Sequence, residues 1–232
     1  MTVDVRRAGT RARSRTPYSE TAHSFSFGPH YDPDDLGYGL LLASNDEHVG
    51  AAGGFPPHAH RELEIVTWVL RGQLRHEDDA GHVTLVSPGM VQVLSAGSGV
   101  RHSEVNASAT APLRFVQMWL RPEVSRVPPS YAVAEVGLRL ARGGLVPVVG
   151  GGDAAVRSGQ RDAVLWAGRL GPAEQVTLPG APLVHLYVAT GGARLEGAGL
   201  LTAGDAVRLT AAGGPRLTAD PACEVLVWAF AR

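Results

Sequence analysis

The chain has no lysine: all 21 of its basic side chains are arginine, set against 22 carboxylates for a net charge of −1. That balance gives no electrostatic case for a nucleic acid or another polyanion as partner. Cysteine occurs once, at Cys223, which excludes an intrachain disulfide framework, a cysteine-ligated zinc site and an iron–sulfur cluster. Cys223 lies in the apolar run 223–230 and reads as a small core residue rather than a nucleophile. No apolar run approaches the length needed to span a bilayer. Arg6, Arg7, Arg11, Arg13 and Arg15 look like the start of a secretory signal, yet no hydrophobic segment follows them. The expectation is a soluble cytoplasmic protein with no membrane contact and a mobile, solvated N-terminus. Long uninterrupted helical stretches are scarce as well, because 29 Gly and 16 Pro break up a composition that is 44% hydrophobic. Scattered Val, Leu and Thr between those breaks favour many short strands joined by turns, in one large or two modest domains.

The stretch 54–106 carries the chemistry. It opens with GFPPHAHRELEIVTWVLRG and closes with GSGVRHSEVN. His58 and His60 lie two apart, as do His102 and Glu104, and side chains two apart on an extended strand share a face. Brought together by a strand–turn–strand arrangement, the two pairs make a four-ligand N/O site with coordination positions to spare. Glu64 competes with Glu104 for the carboxylate place. It lies four past His60 and on an unbroken strand faces the same way, so strand parity leaves the choice open. Glu62 belongs at the rim, while Arg61 and Arg101 have the opposite parity and face away or pair with carboxylates. His23, His30 and His48 have no partner at ligand spacing and read as surface or loop residues.

Around this stretch, 63–70, 73–77, 83–86, 91–94, 101–105 and 115–120 read as strands, with a hairpin turn at 78–81. Strands this short, with turns roughly every eight to twelve residues, indicate an all-β sandwich or barrel. The proline-rich RPEVSRVPPS reads as a linker, and beyond it the pattern recurs. VLRGQLR is echoed by VATGGAR, SPGMVQVL by TAGDAVRL and FVQMWL by VLVWAF, in the same order. Two copies of one fold are expected. With Gly72 set against Gly191, Thr177 and Pro179 stand where the first copy has His58 and His60. The second ligand segment falls near 211–217, which holds no His, Asp or Glu. The second copy therefore lacks the site, and His185 reads as a packed or hydrogen-bonded histidine.

These residues resemble the cupin superfamily and, within it, the pirin family of two-domain cupins. HAHRELEIVTWVLRG is similar to the first cupin motif and GSGVRHSEVN to the second. The form AGSGVRHSE, with a Glu two past the histidine, is the pirin version. HSFSFGPHYDP and RPEVSRVPPSY resemble the pirin N-terminal segment and linker, so the resemblance runs from about His23 to the C-terminus. Tyr18 departs from it, standing where many relatives have Trp. The resemblance implies an all-β bicupin of two jelly-roll barrels, or double-stranded β-helices. These are an N-terminal cupin domain with the metal site at 1–122, a linker at 123–135, and a C-terminal cupin domain without a site at 136–232.

The resemblance also implies an iron-type site of His58, His60, His102 and Glu104. It favours Glu104 over Glu64, which becomes a group hydrogen-bonding a ligand imidazole. One divalent transition metal per chain is expected, Fe(II) first, with Mn, Co, Ni, Cu or Zn compatible with the same donors. The implied activity is that of a quercetin 2,3-dioxygenase, cleaving a flavonol ring with O2 and releasing carbon monoxide. Glu104 would then be the catalytic base on the flavonol 3-hydroxyl, with Phe55, Trp68, Met118 and Trp119 walling the pocket. The same four ligands serve two other readings: a regulator whose metal redox state governs binding to a protein partner, and a small-molecule-binding cupin without redox chemistry.

Overall fold

The computed structural model describes residues 2–232. In its first half the strands are β1 (Thr2–Arg6), β2 (Ala12–Arg15), β3 (Ser19–His23), β4 (Leu41–Val49), β5 (Gly54–His60), β6 (Glu64–Arg71), β7 (Leu74–Asp78), β8 (Val83–Val86), β9 (Met90–Ser95), β10 (Val100–Asn106), β11 (Leu113–Leu120) and β12 (Ser130–Glu135). The second half adds β13 (Val146–Val149), β14 (Ala163–Leu170), β15 (Gln175–Thr177), β16 (Leu183–Leu195), β17 (Gly199–Thr202), β18 (Ala206–Thr210) and β19 (Arg216–Phe230). Helix is confined to single turns, as the density of Gly and Pro dictates. No helix among the described residues is long and apolar enough to cross a membrane.

The fold is an all-β bicupin, and its two large sheets repeat one order. The first runs β12-β9-β6-β11-β4-β3-β2 and the second β1-β18-β16-β19-β14-β13, with β15 and β17 attached to β19 and β16. Matching β9-β6-β11 to β18-β16-β19 reproduces the repeat read from the sequence. The two equated glycines, Gly72 and Gly191, both take a left-handed backbone, with φ of 79° and 72°. A Cβ on Gly191 would lie 1.8 Å from the carbonyl oxygen of Ala222, so only glycine passes there.

The first large sheet takes its edge strand from the segment that joins the two barrels, and the second takes its edge strand from the N-terminus of the other half. β12, in the segment read as a linker, pairs with β9 from Ser130↔Ser95 to Glu135↔Met90. β1 pairs with β18 from Thr2↔Thr210 to Arg6↔Ala206. The N-terminus is thus a strand rather than the mobile tail expected. Arg7 pairs with Asp205 at 2.7 Å across 198 residues of sequence, and Arg11 donates to the Tyr187 hydroxyl and the carbonyls of Ala22 and Ser44. The basic run reads as solvated only because its partners are so distant along the chain.

The two large sheets pack face to face. Val66, Trp68, Val116, Met118 and Leu120 meet Leu165, Tyr187, Leu226, Trp228 and Phe230 in one buried cluster. Trp68 and Met118, expected to line a pocket, belong to this core instead. Side chains alternate across a strand, and these two fall on the face opposite Thr67, Gln117 and Trp119. The far face of the second sheet carries an aliphatic cluster that includes Val184, Leu186, Val188, Leu209 and Val225. His185 is buried between strands with its ring 5.7 Å from that of Phe25, and burial pushes it down to about 3, so it packs as a neutral ring. A separate four-stranded sheet, β5-β10-β7-β8, completes the first barrel.

Candidate metal centre

The four-stranded sheet gathers the ionisable residues. β10 pairs antiparallel with β5, setting His102 opposite His58 and Val100 opposite His60. On its other side β10 pairs with β7, setting Asp78 opposite His102 and His76 opposite Glu104. Directly opposed residues share a face, so these side chains all turn to the barrel interior. The β5–β10 register slips between His102 and Glu104, beside Pro56 and Pro57, which have no N–H to give to the ladder.

The rings of His58 and His102 lie 4.5 Å apart between centroids, those of His58 and His60 4.8 Å, and those of His60 and His102 5.2 Å. Donor atoms of the three fall within 4.8 Å of one another, and so do those of a second group, His76, His102 and Glu104. His102 belongs to both. The Nε2 of His60, both nitrogens of His102 and the Nδ1 of His76 are buried with no hydrogen-bond partner. Leaving such groups unpaired costs about 1–3 kcal/mol each, and a cation in the interior relieves that cost. His58 Nδ1 lies 2.8 Å from the Pro56 carbonyl and so carries the proton, leaving Nε2 as the donor atom. Burial, with His58 and His102 nearby, pushes His60 down to about 4; burial, with His58 and His76 nearby, pushes His102 down to about 3. Both rings are neutral near pH 7, the state in which imidazole binds a metal.

Glu104 is buried among donors. Its carboxylate accepts from Gln117 Nε2, from Gln92 Nε2 at 3.1 Å and from Thr67 Oγ1 at 3.3 Å. Each glutamine is oriented by an aromatic donor: Trp119 Nε1 donates to Gln117 Oε1 at 3.0 Å, and the Tyr131 hydroxyl to Gln92 Oε1 at 2.9 Å. At the rim, Trp119 lies edge-on to His60 at 5.0 Å, and Phe27 meets Trp119 at 5.1 Å. Phe55 packs against Phe115 at 6.4 Å.

Glu64 is turned out of this cavity, which corrects its expected contact with a ligand imidazole. Residues 61–63 interrupt the strand, with Glu62 at φ 54°. β6 then starts afresh in the other sheet, so the parity linking Glu64 to His60 is lost. Its carboxylate accepts the Ser95 hydroxyl at 2.6 Å and the Gly159 amide at 2.8 Å, joining the two halves. Glu64→Ala should therefore leave metal affinity unchanged while costing about 1–3 kcal/mol of stability, because it leaves the Ser95 hydroxyl and the Gly159 amide without their shared acceptor oxygen. Urea unfolding alongside metal titration checks both parts.

His23 is also corrected. It is buried, with Ser14 Oγ at 2.9 Å and Asn45 Oδ1 at 3.0 Å from its ring nitrogens, because β2 covers it. Residues not anticipated as part of the site are His76, Thr67, Gln92, Gln117 and Tyr131. His76 and Asp78 had a signal, since they repeat the two-apart spacing on the strand between the ligand pairs. The glutamines were single polar residues within otherwise apolar strands, and Tyr131 lay in the supposed linker.

One more carboxyl faces the interior. Glu47 stands opposite Phe115 and Thr21, and burial, with Glu104 and Asp46 close by, pushes it up to about 8. A group whose folded value is raised binds its proton more tightly in the fold. The stability it confers is full below about pH 4.5 and is lost as pH rises towards 8. Metal-free wild type should lose up to about 1.4 kcal/mol per pH unit across that window, and Glu47→Gln should flatten the slope. Urea midpoints at a series of pH values measure it.

The family model described as Pirin matches residues 5–120. A Mycobacterium tuberculosis protein named "Putative quercetin 2,3-dioxygenase" is 50% identical over 230 residues, covering 98% of this chain and 94% of its own. The quercetin 2,3-dioxygenase of Escherichia coli K12 is 39% identical over 129 residues, 56% of each chain. The crystal structure of the bacterial pirin YhhW from Escherichia coli in complex with nickel(II) matches with a TM-score of 0.91 at 29% identity, over 99% of both chains. With its motifs, barrel order and near-complete alignment in agreement, this chain belongs to the pirin family.

Proposed function

We propose that the protein is a metal-dependent flavonol 2,3-dioxygenase with quercetin or a close relative as substrate. In this reading His58, His60, His102 and Glu104 hold one divalent transition metal, Fe(II) in the first instance, within the unit 1–122. The unit 136–232 holds none. The observation that carries the reading is the set of unpartnered, buried imidazole nitrogens on His60 and His102, converging with His58 in one barrel. The names and nickel complex of the relatives support it.

A bound divalent metal would supply Lewis acidity to a chelating enolate and a site for O2 chemistry. The chain supplies the rest. A carboxylate offers about four acceptor positions, and three donors occupy Glu104, so the one remaining lone pair would hold the metal and would receive the 3-hydroxyl proton only once Glu104 has let go of it. Trp119 and Phe27 form an aromatic ledge beside His60, suited to a planar ring system. The test is O2 uptake with carbon monoxide release from quercetin, by protein purified without oxygen and loaded with Fe, Mn, Co, Ni or Cu in turn. Turnover in at least one form, absent in His102→Ala, is expected. No turnover with any of them sinks the reading.

A further inference from the structure

His102 has a hydrogen-bonding problem that its proposed metal solves only by half. Both of its ring nitrogens are buried and unpartnered. An ion takes one lone pair, and the other nitrogen then carries a proton that needs an acceptor. Three groups lie near enough on the paired strands. Asp78 is already used, receiving His76 Nε2, His82 Nδ1 and the amides of Ala80 and His82. Glu104 accepts three side-chain donors and is proposed to bind the ion as well. His76 remains. Its Nε2 sits 3.2 Å from the Asp78 carboxylate, which accepts only, so Nε2 carries the proton and Nδ1 is left as a lone pair. That Nδ1 is buried and unpartnered, and the ring lies 5.4 Å from His102 between centroids. Tyr131 stacks on the other face of the arrangement, 4.5 Å from His76 at 15°, and limits how far the ring can turn.

We infer that His76 is a positioning residue for His102: with the ion bound, its Nδ1 accepts the ring N–H of His102, and Asp78 locks His76 in the tautomer that permits this. The inference rests on the metal reading above. It assigns to an Asp78–His76–His102 chain the orientation of one ligand. Groups that hold a metal ligand in place are typically worth 10–100-fold in affinity.

The experiment compares wild type, His76→Leu, His76→Gln and Asp78→Asn as full chains, with Co(II) as the probe and selective 15N-histidine labelling. Circular dichroism establishes that each variant is folded. In wild type the His102 ring N–H should exchange slowly with solvent. His76→Leu should bind Co(II) about 10–100-fold more weakly and lose the slow exchange, while His76→Gln, whose amide oxygen is an acceptor, should recover part of both. If His76→Leu fails to fold, Asp78→Asn carries the test, because Asn keeps one oxygen for the turn amides but no longer enforces the tautomer; a smaller loss in the same direction is expected. Unchanged affinity and unchanged N–H exchange in a folded variant overturn the inference while leaving the metal reading intact. Wild type that binds no Co(II) overturns both.

Discussion

Glu104→Ala should lower flavonol turnover by about 10²–10⁴-fold even when excess ion fills the site, the range a positioned base contributes. The expectation follows from how Glu104 is held. Gln117, Gln92 and Thr67 donate to it, and Trp119 and Tyr131 fix the two amides so that their NH2 groups, not their oxygens, face the carboxylate. An alanine there removes the acceptor, leaves the Gln117 amide buried without a partner and leaves Gln92 only the Thr67 hydroxyl oxygen at 3.4 Å. Metal affinity should fall too, so turnover must be compared at measured full occupancy. Glu104→Gln, which keeps the shape but opposes NH2 to NH2, should be nearly as inactive. Full turnover in the loaded alanine variant would remove Glu104 from the chemistry.

The largest effect on stability should come from Trp228→Ala, at about 3–5 kcal/mol, the usual cost of deleting a buried aromatic. Trp228 sits in the cluster between the two large sheets, stacked on Phe230 at 6.0 Å and 7°, with its Nε1 on the Met118 sulfur at 3.2 Å. Neighbours from both sheets surround it, so the cavity cannot be closed by moving one sheet alone. Unfolding should stay a single transition with a lowered midpoint, reported alike by circular dichroism and by loss of bound metal. Two separated transitions would mean that the halves unfold independently, against the shared core.

Much of this molecule was legible in its sequence because local spacing determined it. Alternation paired His58 with His60 and His102 with Glu104, the structure gathers the three histidines with Glu104 beside His102 and His76, and the Gly72/Gly191 match disclosed the repeat. What stayed hidden depended on contacts remote in sequence. Glu64 could not be separated from Glu104 by parity until the break at 61–63 was seen to move β6 into another sheet. Trp68 and Met118 looked like pocket walls because sequence shows that a residue is apolar, not which face of a two-sided sheet it occupies. The arginines of the N-terminus looked solvated because Asp205 and Tyr187 are named only near the other end of the chain.

The pairing of β1 with the second sheet also sets the order in which the protein can be assembled on the ribosome. β1 emerges first, yet its hydrogen-bonding partner β18 is not made until Thr210 has been added. β9, by contrast, gains its neighbour β12 soon after the first barrel is complete. The N-terminal barrel can therefore close during synthesis, while the C-terminal sheet must wait and then capture a strand held out by its finished neighbour. Contacts so distant along the chain slow folding, and until β1 docks, the edge of β18 is an open template for another chain. A ribosome stalled after β12 would release a closed first barrel with β1 unpaired, whereas a chain deprived of residues 2–6 would finish synthesis with an adhesive edge on the half that has no part in the proposed chemistry.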